Sequence, residues 1–201
     1  MRKDTQATRK RIIDTAEQLF AHNGVEATSL LDITKAAEQK NRSALQYHFK
    51  NKDGMLHAVL DKHALKIAED RTARLDILEA AGDYSLYDLV SALVQPLAAQ
   101  LTNQDGGREF LKIHSELMNS ERYRQFRQER EDLNNVQRII AMAARFLDHS
   151  NPEALQARGI LIGCLLIHGI ANYLPQQELI NRDLFLHTLT QSIVDILVQK
   201  A

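Results

Sequence analysis

Apolar residues recur along this chain at spacings of three and four and nowhere alternate long enough to form a strand. Ile12, Ile13, Ala16, Leu19 and Phe20 share one face of a segment running from about Thr5 to His22. Asn23-Gly24 closes it, as where a helix ends in a left-handed residue. In Thr28-Ser29-Leu30-Leu31-Asp32, Ser29 caps a second helix and Asp32 reaches back to complete a capping box. That helix is short, carrying Leu30, Ile33, Ala36 and Ala37, and it breaks through Glu38-Gln39-Lys40 to another cap at Asn41. A third helix, Arg42 to about Phe49, has only Leu45 and Phe49 to bury at i and i+4. Lys50-Asn51-Lys52-Asp53 then restarts the chain as a helix with Leu56, Val59, Leu60, His63 and Ile67 inside, reaching about Glu79.

The remainder reads as helices divided by short polar breaks. Ser85 caps one carrying Leu86, Leu89, Leu93 and Leu97, in which Pro96 predicts a kink. Asp105-Gly106-Gly107 precedes Phe110, Ile113 and Leu117. Tyr123, Phe126, Arg130, Leu133, Gln137, Ile140, Ala144 and Leu147 predict one long helix. Asn151-Pro152-Glu153, a cap with proline in the first turn, opens another that ends at Leu174-Pro175. Asn181 caps the last, with Phe185, Leu189, Ile193, Ile196 and Leu197 on its apolar side. Only 3 Pro and 8 Gly in 201 residues suit this reading. The expectation is an all-α protein of about nine helices.

Two short capped helices separated by a four-residue turn and backed by a longer helix describe a helix-turn-helix. The predicted division is a helix-turn-helix domain at 1–52 and a larger helical body at 53–201. Charge sharpens this. The net charge is −1, but residues 1–52 hold 10 Lys and Arg against 6 acids, leaving a basic head on an acidic body. In the third helix Arg42 suits guanine, Gln46 suits adenine, and Ser43 or Ala44 suits a polar edge or a thymine methyl. Tyr47, His48, Lys50 and Lys52 are placed to hold phosphates, and Thr28-Ser29 offers backbone amides to another. The alternative is a three-helix packing unit with a solvated charged face, and for Leu19, Phe20, Leu45 and Phe49 a core role holds in either case. Arg2, Lys3, Arg9 and Lys10 form either a minor-groove arm or a free terminus.

These residues resemble the tetracycline-repressor-type (TetR/AcrR) transcriptional regulators. The likeness runs from Ile12-Ile13-Asp14-Thr15-Ala16 and Leu19-Phe20 through Gly24-Val25, Thr28-Ser29, Asp32-Ile33 and Ala36-Ala37. It closes at Leu45, Tyr47-His48-Phe49 and Asn51-Lys52-Asp53-Gly54-Met55-Leu56. One departure stands out: Glu38 occupies the place where the family usually has a turn glycine, and the stretch to Leu45 is one residue longer. The resemblance implies a DNA-binding regulator of repressor type, cytoplasmic and homodimeric, binding double-stranded palindromic DNA and released by a small-molecule effector. It also implies that the last two helices pair with their mates across a two-fold axis. Gly159, Gly163, Ile167, Phe185, Leu189, Ile193 and Ile196 are the candidate interface, and the all-round apolar Gly159–Gly169 segment agrees with it. A central helix within a monomer is the competing reading. Phe110, His114, Met118, Tyr123, Phe126 and His168 are candidates for the effector site, a mostly apolar set with polar tips; each also suits an ordinary core or surface position. A body that binds a protein partner instead stays open.

Other classes find little support. The eight histidines include no pair at i and i+4, and the single Cys164 suits a reducing compartment and the core. His114 and Glu116, the nearest approach to an acid and a base, lie two apart and point to different helix faces. No phosphate loop or nucleophile elbow occurs, so an enzyme is a remote alternative, and neither cofactor nor metal is expected. The apolar run from Gly159 stops at His168, about half the roughly 20 residues of a membrane span.

Overall fold

A computed structural model describes residues 2–38, 48–118, 120, 121, 124, 126, 135–148 and 151–199, the side chains of 2–5 and 136 excepted. Every regular element among them is helical. In chain order the α-helices are α1 (Arg2–Asn23), α2 (Leu30–Ala36), α3 (Lys52–Ala81), α4 (Leu86–Ala98), α5 (Gly107–Leu117), α6 (Val136–Ala143), α7 (Pro152–Tyr173) and α8 (Arg182–Val198). Short 3-10 turns extend α4, α6 and α7.

The helices begin where side chains can accept their free amides. Ser29 Oγ accepts from the Asp32 amide at 3.2 Å, and Asp32 Oδ2 accepts from the Ser29 amide at 3.0 Å. Ser85 and Asp88 repeat the arrangement at 3.1 and 2.9 Å. Asn151 and Asn181 each accept from the amide three residues on, at 3.0 Å. Gly24 closes α1 with φ 87°, its amide donating to the Phe20 carbonyl. These boundaries stand where the sequence put them.

Two expectations need correction. Helix α1 begins at Arg2 rather than Thr5, so the basic terminus is part of the helix. The long helix expected across Tyr123–Leu147 does not pass Asn135, which is left-handed at φ 50° and is followed by a new start at Val136. Asn tolerates that conformation, and here its side-chain amide donates to Thr72 Oγ1 at 2.9 Å and to the Ala68 carbonyl at 3.4 Å. Tertiary hydrogen bonds thus override the periodicity. Helix α7 continues through His168, where the uninterrupted apolar run ends. Residues 152–176 are long and apolar enough, by length and composition, to cross a membrane.

The chain packs as two compact units, Met1–Leu65 with Thr102–Glu129, and Lys66–Leu101 with Arg130–Ala201. In the first, α1 packs on α2 and α5, with Ile12, Ala16, Phe20, Val25, Ile33, Phe49, Met55 and Ile113 in the core. In the second, α4 packs against α6, α7 and α8, with Leu89, Val94, Leu97, Ile170, Leu189 and Ile193 buried. Pro96 is buried within α4, which continues through it. Buried Arg158 of α7 donates to the Leu197 carbonyl at 3.3 Å and the Gln199 carbonyl at 2.5 Å, satisfying the exit of α8. Ile160 and Leu161 of α7, 69 % and 57 % exposed, are left uncovered by this unit.

Candidate nucleic-acid interface

The head is built on α1, which packs against α2 and is tied to α3 through Lys62 and His63. Arg42, Ser43, Ala44, Gln46 and Tyr47, the residues expected to read or flank the bases, lie outside the described residues, which resume at His48. What is described is the frame on either side of them.

Thr28 is 1 % exposed, and its hydroxyl donates to the Gly24 carbonyl at 2.9 Å and the Leu19 carbonyl at 3.3 Å, closing the α1–α2 turn. Ser29 is exposed at the start of α2, but its own amide and that of Asp32 are satisfied within the capping box. The Ser29 hydroxyl and then its amide hold the Asp32 carboxyl below the usual aspartate range, keeping the box ionised. Glu38 adopts φ 51°, the left-handed conformation that a glycine takes without strain. Beyond the undescribed segment, buried Phe49 lies under the Arg9 guanidinium, 5.4 Å from its ring centroid. His48 is half-buried beside that ring, and Lys50 is exposed at φ 62°. Lys52 turns inward, its ammonium donating to the Glu26 carbonyl at 2.9 Å and tying the start of α3 to the α1–α2 turn.

Beneath this surface lies a polar network that the sequence reading missed. Glu17, 1 % exposed on the apolar side of α1, accepts from Lys62 Nζ at 2.7 Å and pairs with His63 Nε2 at 2.5 Å. The His63 ring stacks on Phe110 of α5, centroids 4.7 Å apart. Lys62 also donates to Asp14 at 2.8 Å and faces Asp105 at 3.3 Å, and Lys10 bridges the same two carboxylates from outside. Burial opposes the Lys62 charge, but hydrogen bonds to Asp14 and Glu17 outweigh it and hold Lys62 well above the ordinary lysine value. Asp14 is likewise pushed up by burial, and further down by Lys10 and Lys62. The available signal was Glu17 itself, an acid placed between Ala16 and Phe20 on a face otherwise apolar. At the far end of α5, Glu116 Oε1 accepts from the Val25 amide at 3.0 Å.

The effector candidates divide between the units. Phe110 is buried with His114 tilted against it at 5.2 Å, buried Phe126 meets His57 at 5.4 Å, and Met118 is half-buried, all in the first unit. His168 belongs to the second unit, and Tyr123 lies outside the described residues. Of the dimer candidates, Gly159 is exposed; Gly163, Ile167, Phe185 and Ile196 are half-buried. Leu189 and Ile193 are already buried in the core of the second unit. Among the described residues no group of three His, Cys, Asp or Glu side chains could hold a metal ion.

A capped short helix following a longer one, with a turn and a basic flank, matches the first part of a helix-turn-helix arrangement. Residues 12–59 match the sequence profile of bacterial regulatory proteins, tetR family. The HTH-type transcriptional repressor ComR of Escherichia coli is 35% identical over 85 residues, covering 42% of this chain and 40% of ComR. The HTH-type transcriptional regulator TtgR of Pseudomonas putida is 38% identical over 73 residues, covering 36% of this chain and 33% of TtgR. The matched stretch thus spans well under half of these relatives. Among solved structures, native NalD, the secondary repressor of the MexAB-OprM multidrug efflux pump in Pseudomonas aeruginosa, has a TM-score of 0.70 at 25% identity, covering 98% of this chain and 100% of NalD. Residues 12–59 thus carry the tetR-family DNA-binding motif, on a chain whose overall fold is like that of NalD.

Proposed function

We propose that this protein is a repressor that binds a palindromic operator as a homodimer through the head at 1–52 and is released when a small molecule enters the body at 53–201. The observation that carries this is the tetR-family match over 12–59, falling on a head whose α2 is capped and is followed by a left-handed residue at Glu38. Arg42 and Gln46 would read bases, with Ser43 and Ala44 beside them. Tyr47, His48 and Lys50 would hold phosphates, while Thr28 and Lys52, engaged internally, set the frame. Dimerisation is supported by Ile160 and Leu161, adjacent apolar residues of α7 left exposed by this unit, which a second copy would cover. Arg158, two residues before Ile160, is turned inward onto α8. For the effector, the mostly apolar set around Phe110 and Phe126 would suit an apolar small molecule. The activity requires a cytoplasmic location and no catalytic chemistry.

The experiment is selection of duplexes from a random pool by the purified protein, then binding titrations across salt. A two-fold-symmetric consensus and a steep loss of affinity with salt are expected. Arg42→Ala is expected to relax preference at one position in each half-site. Unselective binding at physiological salt, or unchanged specificity in Arg42→Ala, refutes the proposal.

A further inference from the structure

Two glycines at the α1–α5 contact give up side-chain space to a carboxylate from the facing segment. Gly106, just before α5 at φ 85°, covers Glu17 of α1 so closely that a Cβ there would fall 1.8 Å from Glu17 Oε2. Gly24, just after α1 at φ 87°, lies under Glu116 of α5, and a Cβ there would be 3.4 Å from Glu116 Oε1. Each segment thus seats a carboxylate against a glycine of the other, one contact at each end of α5. The two ends differ in kind. Glu17 is buried and held by Lys62 and His63, whereas Glu116 is an exposed residue holding one backbone amide, that of Val25.

Val25 belongs to the turn that feeds α2. The Gly24 carbonyl receives the Thr28 hydroxyl, and Ser29, the next residue, is the cap. A carboxylate oxygen on α5 therefore joins Thr28 and Lys52 in holding the turn from which α2 departs, and in the proposed reading α2 leads into the DNA-facing part of the head. We infer that Glu116 is a positioning residue for DNA binding: acting through the Val25 amide rather than on the duplex, it holds the 24–29 turn in the placement that binds. The inference rests on the DNA-binding reading above.

Charge and reach predict opposite results, which makes a clean test. Removing a negative charge from a protein that binds phosphates favours binding. Removing the acceptor releases the turn and disfavours it. Glu116→Ala removes both charge and acceptor, Glu116→Asp keeps charge but shortens reach, and Glu116→Gln keeps reach and an acceptor oxygen while losing charge. The probe is the duplex that the unaltered protein enriches from a random pool, titrated at one salt concentration. The expected result is a loss of about three- to tenfold for Ala and Asp, the net scale of one ordinary hydrogen bond, with Gln binding at least as well as the original. Amide exchange at Val25 in the free protein is expected to quicken in Ala and Asp alone. If Ala and Gln bind alike, in either direction, or Val25 exchange is the same in all variants, the inference is overturned. An unaltered protein that enriches no duplex refutes the DNA-binding reading instead, and Val25 exchange still reports on the contact.

Discussion

Lys62→Met tests the buried network most directly. Methionine retains most of the apolar stem, so the change isolates the ammonium. Its loss leaves the Glu17 carboxylate, 1 % exposed, to His63, while Asp14 and Asp105 keep Lys10. Stranding a buried charge costs about 3–5 kcal/mol; with His63 still in place at 2.5 Å, about 2–4 kcal/mol is the expectation. At this chain length that lowers Tm by roughly 5–15 °C. The assay is urea and thermal unfolding at one protein concentration, run as a cycle with Glu17→Gln. The double variant is expected to be more stable than Lys62→Met alone, because the stranded charge is gone. The pH dependence carries a sign. Lys62 is raised above 10.5 in the folded state, so its contribution is full below that pH and fades as pH climbs through the folded value. The gap between Lys62→Met and the original is therefore constant at neutral and mildly alkaline pH and narrows above about 10.5. A single variant within about 1 kcal/mol of the original, or strict additivity in the cycle, refutes the reasoning.

Other outcomes follow from the same geometry. Gly106→Ala, which drives a methyl into Glu17, is expected to destabilise well beyond Gly82→Ala, where φ is 70° but nothing lies within 4 Å and only the roughly 1–2 kcal/mol of left-handed strain applies; chemical denaturation compares them. Glu38→Gly relieves the strain at φ 51° and removes a negative charge beside the expected recognition segment, so a modest rise in Tm and tighter duplex binding are expected. Arg158→Ala frees the Leu197 and Gln199 carbonyls and costs about 2 kcal/mol, seen as faster amide exchange in the last turn of α8. Ile160→Glu with Leu161→Glu is expected to shift sedimentation towards monomer.

What the sequence disclosed and what it withheld follow a physical line. Ser29, Ser85, Asn151 and Asn181 announce helix starts because a cap bonds within three residues, a range that spacing alone can show. Asn135 and Glu116 act over separations of more than sixty residues, and nothing local marks their partners Thr72 and Val25. Thr28 and Lys52 illustrate a subtler limit. Their place in the motif is legible, yet the direction each side chain takes is decided by carbonyls at Gly24 and Glu26 that only the folded turn brings near. Leu189 and Ile193 show the same for packing, since an apolar stripe does not say whether its own chain or a second copy covers it.

The charges linking α1, α3 and the Asp105 loop form a graded series, from Lys10, 60 % exposed, to Lys62 at 13 % and Glu17 at 1 %. Ionic screening reaches exposed pairs and spares buried ones. Added salt will therefore loosen the outer Lys10 contacts while leaving Lys62 and Glu17 joined. When DNA affinity falls across a salt titration, the scaffold under the head stays assembled. The slope then counts the counterions released from phosphate, not a gradual loosening of the protein.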